Sequence, residues 1–155
     1  MRLLILAVGS KAPRWIEEGF QEYAKRVKGD CQIGLKEVPP ARGQRKQALS
    51  NKREEAQRLR ACVPKNAFKV ALDEKGKSLK TRDLAAKIDE WKQNGREVAI
   101  LIGGPDGLDA ELMDEADFVW SLSSLTLPHT LVRVVLAEAL YRAWSLGHNH
   151  PYHRE

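Results

Sequence analysis

Short apolar stretches alternate with amphipathic ones along most of this chain. Residues 3–8 (LLILAV) and 98–102 (VAILI) are apolar at every position, which is typical of strands buried on both faces of a sheet. Residues 33–38, 68–72 and 118–120 are further strand-like runs. The pattern therefore predicts five strands.

The segments between these strands have the spacing of helices. The first carries apolar side chains at intervals of about three and four residues after Pro13: Trp15, Ile16, Phe20 and Tyr23. In the third, Thr81 is predicted to be the N-cap, and Gly95 is predicted to follow the last turn. The remaining helices are expected at about residues 47–61, 110–114 and 129–145.

The regular alternation of strands and helices predicts an α/β fold. We expect a mostly parallel sheet with helices on both faces, formed by residues 1–155 as a single domain. Ligands of such sheets usually bind beyond the carboxyl ends of the strands. In this chain those ends are Leu72, Gly103 with Gly104, and the loop after Trp120.

The last predicted helix is apolar around most of its circumference. Its broad apolar face is widened by Leu131, Val134 and Trp144, and its alanines allow another backbone to approach closely. We predict that both the sheet of its own chain and a partner subunit bury it, although burial within one chain alone is also possible.

The composition is that of a soluble globular protein: 155 residues, 43% hydrophobic and 30% charged. No apolar run approaches the roughly 18–20 residues that cross a bilayer, and residues 3–8 are too short for a signal peptide. We therefore expect a cytoplasmic protein without membrane contact. Cys31 and Cys62 lack the spacing of a metal or redox motif, so reduced thiols are expected.

The net charge of +5 fits a polyanionic partner as well as it fits a mildly basic protein without one. The distribution of the charge favours a nucleic acid, because one stretch is crowded with cations and opposed only by Glu54 and Glu55. Its basic residues are Arg42, Arg45, Lys46, Lys52, Arg53, Arg58 and Arg60.

Two segments after predicted strands could bind a small molecule. The glycines of residues 103–107 (GGPDG) would let a ligand approach the backbone, although a plain tight turn has the same pattern. Residues 122–128 (LSSLTLP) offer backbone groups and leucines that could enclose an adenine. Residues 71–78 resemble a phosphate-binding loop but lack its first glycine, which argues against a nucleotidase of that kind.

Several polar residues near the last helix are candidates for chemistry. His129 begins the helix, and the positive end of the helix should lower the pKa of this histidine, which would suit a general base. The alternative is that His129 only helps the helix to start. Glu138 and Arg142 are spaced to form an ion pair. The tail contains Tyr152 and other polar residues, which are His148, His150, His153 and Arg154. They suit base stacking and phosphate contact. The alternative is that the tail is a frayed terminus. No cysteine or carboxylate cluster completes a metal site there, so no metal is expected.

Taken together, these segments resemble the RlmH family of SPOUT-class RNA methyltransferases. The resemblance spans the chain and is specific through the order and spacing of its motifs. They are residues 7–9 (AVG), 101–107 (LIGGPDG), 120–129 (WSLSSLTLPH), 132–133 (VR), 137–138 (AE), 140–144 (LYRAW) and 149–153 (NHPYH).

The resemblance implies a deep trefoil knot in the C-terminal half, a homodimer, and methylation of N3 of a pseudouridine in 23S rRNA on assembled ribosomes. It implies that S-adenosylmethionine is held by Leu72, Gly103, Gly104, Leu122, Ser123, Ser124, Leu125, Thr126, Leu127 and Pro128. It also implies that His129, Glu138, Arg142, Tyr152, His153 and Arg154 face the RNA, with the tail completing the partner subunit's site. A non-catalytic ribosome-binding factor and a nucleotide-binding regulator are the alternatives.

Overall fold

A single five-stranded parallel sheet forms the centre of the molecule. The computed structural model describes residues 1–42 and 47–153. The strands are β1 (Arg2–Val8), β2 (Gln32–Val38), β3 (Phe68–Ser78), β4 (Val98–Ile102) and β5 (Phe118–Ser121), and the helices are α1 (Arg14–Ala24), α2 (Ala48–Cys62), α3 (Thr81–Asn94), α4 (Ala110–Asp114) and α5 (His129–Gly147).

The strands are arranged in the order β2-β1-β4-β3-β5, and every pair is parallel. The two apolar runs of the sequence, β1 and β4, lie side by side in the interior of the sheet, where Ile5 pairs with Ile100. Both strands are buried on both faces, as their composition predicts.

Two hydrophobic cores cover the two faces of the sheet. On one face, α1, α3 and α5 pack against alternate residues of the strands, including Ile5, Ile100 and Trp120. On the other face, α2 and α4 pack against the intervening residues, including Leu6 and Leu101. The predicted α/β fold with helices on both faces is therefore confirmed.

The bounds of β3 differ from the prediction, which ended this strand at Leu72. The strand continues to Ser78 because an irregularity lets both Leu72 and Lys77 pair with Trp120 of β5. At this crossing the backbones lie very close together: a Cβ on Gly76 would lie 2.8 Å from backbone atoms of Trp120. The polar residues after Leu72 therefore extend the pairing with β5.

One prediction for the helices was wrong in detail. Thr81 is the first residue of α3 and does not cap it; the cap is provided by the Asp83 carboxylate, which accepts a hydrogen bond from the backbone N–H of Lys80 at 3.0 Å. Gly95 ends α3 in the left-handed conformation, as predicted. Trp15 belongs to α1 but is 61% exposed, because Ile16 and Phe20 occupy the buried face.

The long helix α5 is buried by its own chain along one side, against α1 and α3. Its inward residues include Leu136, Leu140 and the charged Arg133. Leu131, Val134 and Val135 are half-buried. Among the described residues no helix is long and apolar enough to cross a membrane.

Candidate functional site

A cleft of about 460 Å³ lies at the carboxyl ends of β4 and β5, beside the irregular middle of β3. This size is within the usual range for small-molecule sites, and the position is the one expected for ligands of a parallel sheet. Its walls are formed by residues 72–75 of β3, the glycine turn after β4, the loop before α5 and the first turn of α5. The lining residues that the sequence singled out are Leu72, Gly103, Gly104, Leu122, Ser123, Leu125, Thr126, Leu127 and His129.

The glycine turn after β4 leaves no space for a side chain at Gly103 and little at Gly104. A Cβ on Gly103 would lie 2.5 Å from the carbonyl carbon of Gly107, and one on Gly104 would lie 3.1 Å from a methyl carbon of Val8. The backbone N–H of Gly107 donates to the carbonyl oxygen of Gly104 at 3.0 Å. The segment is thus a tight turn, and it is also bare backbone at the wall of a cleft.

The loop before α5 is held by its own hydroxyl groups. Ser121 donates from Oγ to the carbonyl oxygen of Ser123 at 2.9 Å, and the Ser123 hydroxyl accepts the backbone N–H of Leu125 at 2.9 Å. Thr126 donates to the Glu74 carboxylate at 3.0 Å and so connects the loop to β3.

Ser124 and Pro128, also predicted for the cleft, do not line it. Ser124 is exposed. Pro128 precedes α5, and its carbonyl oxygen accepts the backbone N–H of Val132 at 3.1 Å. Leucine side chains, Ile102 and Val132 provide apolar walls, whereas Asp73, Glu74 and Asp106 provide carboxylates.

His129 lines the cleft at the first turn of α5. The pKa of this histidine is lowered, first by its burial and second by the positive charge of Arg133. The direction agrees with the prediction from the helix start, although burial and Arg133 are the causes. A neutral imidazole at the cleft wall can accept a proton.

A second polar group lies further along α5. The Arg142 guanidinium donates to Glu138 Oε1 through Nε at 2.8 Å and through Nη2 at 2.6 Å, which confirms the predicted ion pair. The Tyr152 hydroxyl donates to the same oxygen at 3.0 Å, and its ring lies 4.9 Å from the guanidinium carbon of Arg142. Burial, aided by Glu138, raises the pKa of Tyr152 to about 12.

The tail folds back on α5 as far as His153. The alternative of a frayed terminus is therefore wrong for the described residues of the tail. His148 stacks on Trp144 and contacts Asp30 at 3.1 Å. The backbone N–H of His150 donates to Ser145, and the Tyr152 ring packs on that of Tyr141 at 4.5 Å between centroids.

His153 is half-buried, and its Nδ1 has no hydrogen-bond partner among the described residues. Arg154, the last predicted site residue, lies outside the described residues.

Within one chain, the tail group and the cleft are separate. His129 and Glu138 are nine residues apart on α5, which corresponds to about 14 Å along a helix rising roughly 1.5 Å per residue. The cleft is lined by no residue after Val132 among those described. The structure therefore brings the predicted residues together in two groups.

The basic stretch in and before α2 is partly structural. Arg58 donates to the carbonyl oxygens of Pro39 and Pro40 at 2.8 Å, and Arg60 pairs with Glu115 at 2.9 Å. Lys52 lines the cleft. Arg45 and Lys46, predicted to contact a polyanion, lie outside the described residues.

Sequence reasoning missed two buried charged residues near the cleft. Arg133 is 1% exposed and Glu55 is 6% exposed. Glu55 accepts the backbone N–H of Ala41 at 3.0 Å, and burial raises its pKa. The signal for Arg133 was its position between Val132 and Val134 inside an apolar stretch.

Cys31 and Cys62 are free cysteines, and only Cys31 is fully buried. In the part of the chain that the structure describes, no group of three or more His, Cys, Asp or Glu side chains could hold a metal ion.

Comparisons with known proteins agree with this architecture. A family model described as "Predicted SPOUT methyltransferase" matches residues 1–153. A protein of Janthinobacterium called ribosomal RNA large subunit methyltransferase H is 53% identical over 155 residues, covering 99% of both chains. One of the same name from Hydrogenovibrio crunogenus is 49% identical and covers all of both chains.

Among solved structures, a "probable methylase family protein" of Haemophilus influenzae matches with a TM-score of 0.54. It is 14% identical, and the match covers 99% of this chain and 70% of the other. At this identity the likeness concerns the fold.

Proposed function

Because the chain belongs to the SPOUT methyltransferase family, we propose that it transfers a methyl group from S-adenosylmethionine to N3 of a pseudouridine in 23S rRNA. The similarity to ribosomal RNA large subunit methyltransferases H covers the whole chain and supports this substrate. The observation that carries the proposal is the cleft built from the glycine turn and the loop before α5.

The residues of the cleft fit this cofactor. Gly103 and Gly104 line the cleft, so a ligand can lie against the turn, whose closure excludes a Cβ on Gly103. Leucines of the loop can enclose an adenine ring, and the carboxylates of Asp73, Glu74 and Asp106 suit a cationic ligand. When bound, S-adenosylmethionine supplies a methyl group already activated on a sulfonium sulfur.

The residues predicted to hold the cofactor are Leu72, Gly103, Gly104, Leu122, Ser123, Ser124, Leu125, Thr126, Leu127 and Pro128. Ser124 and Pro128 would act through the conformation of the loop, since their side chains do not line the cleft.

The chain's own residues have to align the base and remove its proton. N3 must lose a proton before it can attack, and His129, Glu138 or water could accept it. We favour His129, because it lines the cleft in its neutral form, whereas Glu138 Oε1 is already engaged by Arg142 and Tyr152. Arg142 or Arg154 would stabilise the uridine anion, and Tyr152 and His153 would position the base.

The separation of cleft and tail within one chain supports a homodimer. We propose that Tyr152, His153 and Arg154 of one subunit complete the cleft of the other. In this proposal residues 1–155 form one domain with a trefoil knot in the C-terminal half, which acts on assembled ribosomes in the cytoplasm.

Methyl transfer from labelled S-adenosylmethionine tests this function directly. Free 23S rRNA, separate ribosomal subunits and whole ribosomes would be offered, and we expect labelling of N3 of one pseudouridine in ribosomes. A protein that binds ribosomes but shows no affinity for S-adenosylmethionine would instead be the non-catalytic ribosome-binding factor. Binding of ATP or NAD in preference to S-adenosylmethionine would indicate the nucleotide-binding regulator.

The division of labour between cleft and tail makes a separate prediction. Tyr152→Ala or His153→Ala should lower methyl transfer more than about 100-fold, because a misplaced base is no longer aligned for attack. Cofactor affinity measured by calorimetry should change little. His150→Ala is the matched control, since it removes an exposed tail histidine outside the proposed site. Equal loss of cofactor affinity in the Tyr152 and His153 variants would refute this division.

A further inference from the structure

Arg133 is a buried cation near the start of α5. Its side chain is 1% exposed and points toward the sheet rather than toward solvent. Burying a charge is costly unless the charge is paired and hydrogen-bonded. The hydrogen-bond partners of this guanidinium therefore indicate whether its role is only to stabilise the core.

The guanidinium is incompletely paired. Nη1 lies 3.3 Å from Oε2 of Glu37 on β2, whereas Nε and Nη2 are buried without a hydrogen-bond partner among the described residues. Space for Nη2 exists because residue 9 is glycine: a Cβ there would lie 2.7 Å from Nη2. The end of β1, the end of β2 and the first half of α5 thus meet at this side chain.

The same stretch of α5 forms one wall of the cleft. Val132 precedes Arg133, and His129 lies one helical turn earlier; both line the cleft. Residues four apart lie on the same face of a helix, and Arg133 is the first charged residue after His129 on α5. Its charge is the second cause of the lowered pKa of His129, after burial.

From this geometry we infer that Arg133 is a positioning residue for methyl transfer, which fixes the first turn of α5 against β1 and β2 and places a permanent positive charge beneath His129. The inference rests on the proposed function. Arg133 does not touch the substrate in this scheme; it acts through His129 by keeping the imidazole neutral and in place.

A purely structural role explains the arrangement less well. Replacing a buried charge by an apolar side chain of similar volume is often neutral or stabilising, so the core alone gives no reason to retain a half-paired guanidinium. The other charged groups that line the cleft with His129 are Lys52, Lys75, Asp73, Glu74 and Asp106. Arg133→Met and Glu37→Gln should shift the pKa of His129 in opposite directions. Together they separate the contribution of Arg133 from the contributions of these other groups.

The first experiment is an NMR titration of the imidazole of His129 in the free protein, with the signal assigned by His129→Gln. In Arg133→Met the cation is absent, so the pKa of His129 should rise. In Glu37→Gln the counter-ion is absent and the cation is uncompensated, so the pKa should fall below that of the wild type. Arg133→Lys keeps the charge and should stay close to the wild type.

Absence of a shift in Glu37→Gln, or in a folded Arg133→Met, would overturn the inference. Glu37 is a residue of the outer strand β2 with a partly exposed side chain, so its glutamine variant keeps the test decisive even where Arg133→Met unfolds. The titration requires no methyl transfer, and its outcome is therefore independent of the proposed function.

The second experiment measures methyl transfer against pH. A base must be neutral to accept a proton, so the acidic limb of the kcat profile should move to higher pH in Arg133→Met, with kcat lowered about 10-fold below neutral pH. The KM for the cofactor should change less than about twofold, and Arg133→Lys should restore the profile. If kcat were lowered by the same factor at every pH and the KM for the cofactor were raised, Arg133 would have a structural role only. A wild-type protein without transfer would refute the proposed function instead.

Discussion

At the scale of single residues, Gly103 shows how tightly the cleft wall is built. The turn brings the carbonyl carbon of Gly107 within 2.5 Å of the place where a Cβ on Gly103 would be. Because the nearby atoms are backbone, they cannot move aside as the end of a flexible side chain could. Glycine at this position is thus a condition for closing the turn, and the closed turn forms part of the cleft wall.

We therefore predict that Gly103→Ala lowers the free energy of unfolding by about 1–3 kcal/mol, the usual range for overpacking. It should also weaken S-adenosylmethionine binding more than about 10-fold, as measured by calorimetry. Gly147→Ala is the control, because a Cβ at that helical position meets nothing within 4 Å. It should leave binding unchanged and stabilise the fold by roughly 0.5 kcal/mol. Unchanged binding by Gly103→Ala would contradict this account.

The residues of the cleft could be predicted from the sequence, and the buried charges could not. Gly103, Gly104 and the loop before α5 follow apolar strands, and parallel strands bring their carboxyl ends to one edge. Arg133 and Glu55 are different, because charged side chains are rarely buried unless paired. Their partners come from distant parts of the chain, Glu37 and Ala41, which no local pattern reveals.

At the scale of elements, Asp30 connects two helices that are far apart in sequence. Its carboxylate accepts a hydrogen bond from Lys92 of α3 and contacts His148 just after α5. These contacts, the one with Lys92 first, lower the pKa of Asp30 to about 2. The start of the tail is thereby held against α3.

This pairing makes stability depend on pH in a defined direction. The pKa of Asp30 is lower in the folded state than the roughly 3.9 of an unfolded chain, so its contribution is present above about pH 4 and is lost as the pH falls toward 2. Because the side chain is 42% exposed, the contribution should be at most about 1 kcal/mol.

Asp30→Asn should therefore lower the unfolding free energy at pH 7 by up to about 1 kcal/mol, with the difference from wild type vanishing near pH 2. Urea unfolding at several pH values measures it. Asp114→Asn, at an exposed aspartate without an ion pair among the described residues, is the comparison and should show no such trend. A difference that persists at pH 2 would exclude the ion pair as its cause.

The elements themselves could be predicted from the sequence, whereas their order in the sheet could not. The burial of β1 and β4 follows from residues that are apolar at every position. The extension of β3 to Ser78 does not, because its last residues are polar and pair with β5 across an irregularity. The order of the strands depends on contacts between distant segments, so the alternation of strands and helices leaves it undetermined.

At the scale of the whole molecule, the two hydrophobic cores share one sheet. Adjacent residues of β4 point into different cores: Ile100 packs with α1, α3 and α5, and Leu101 packs with α2 and α4. Loss of packing on one face must therefore destabilise the strands against which the helices of the other face also pack. We expect both faces to unfold in a single transition.

Leu101→Ala should lower the unfolding free energy by about 3 kcal/mol, as expected for a cavity at a fully buried leucine. Unfolding followed by tryptophan fluorescence should coincide with unfolding followed by circular dichroism, since Trp91 and Trp120 lie in the opposite core. Leu49→Ala, at a leucine that is 58% exposed, should change stability by less than about 0.5 kcal/mol. Two separate transitions in Leu101→Ala would show that the faces are independent.

The strand order also governs how the chain can fold while it is being synthesised. Strand β1 leaves the ribosome well before β4, one of its two neighbours, which begins only at Val98. Pairing of distant segments is slow because a long loop has to close first. The apolar β1 therefore stays without its inner neighbour until β4 has emerged, and the cleft can close only once the start of α5 has emerged.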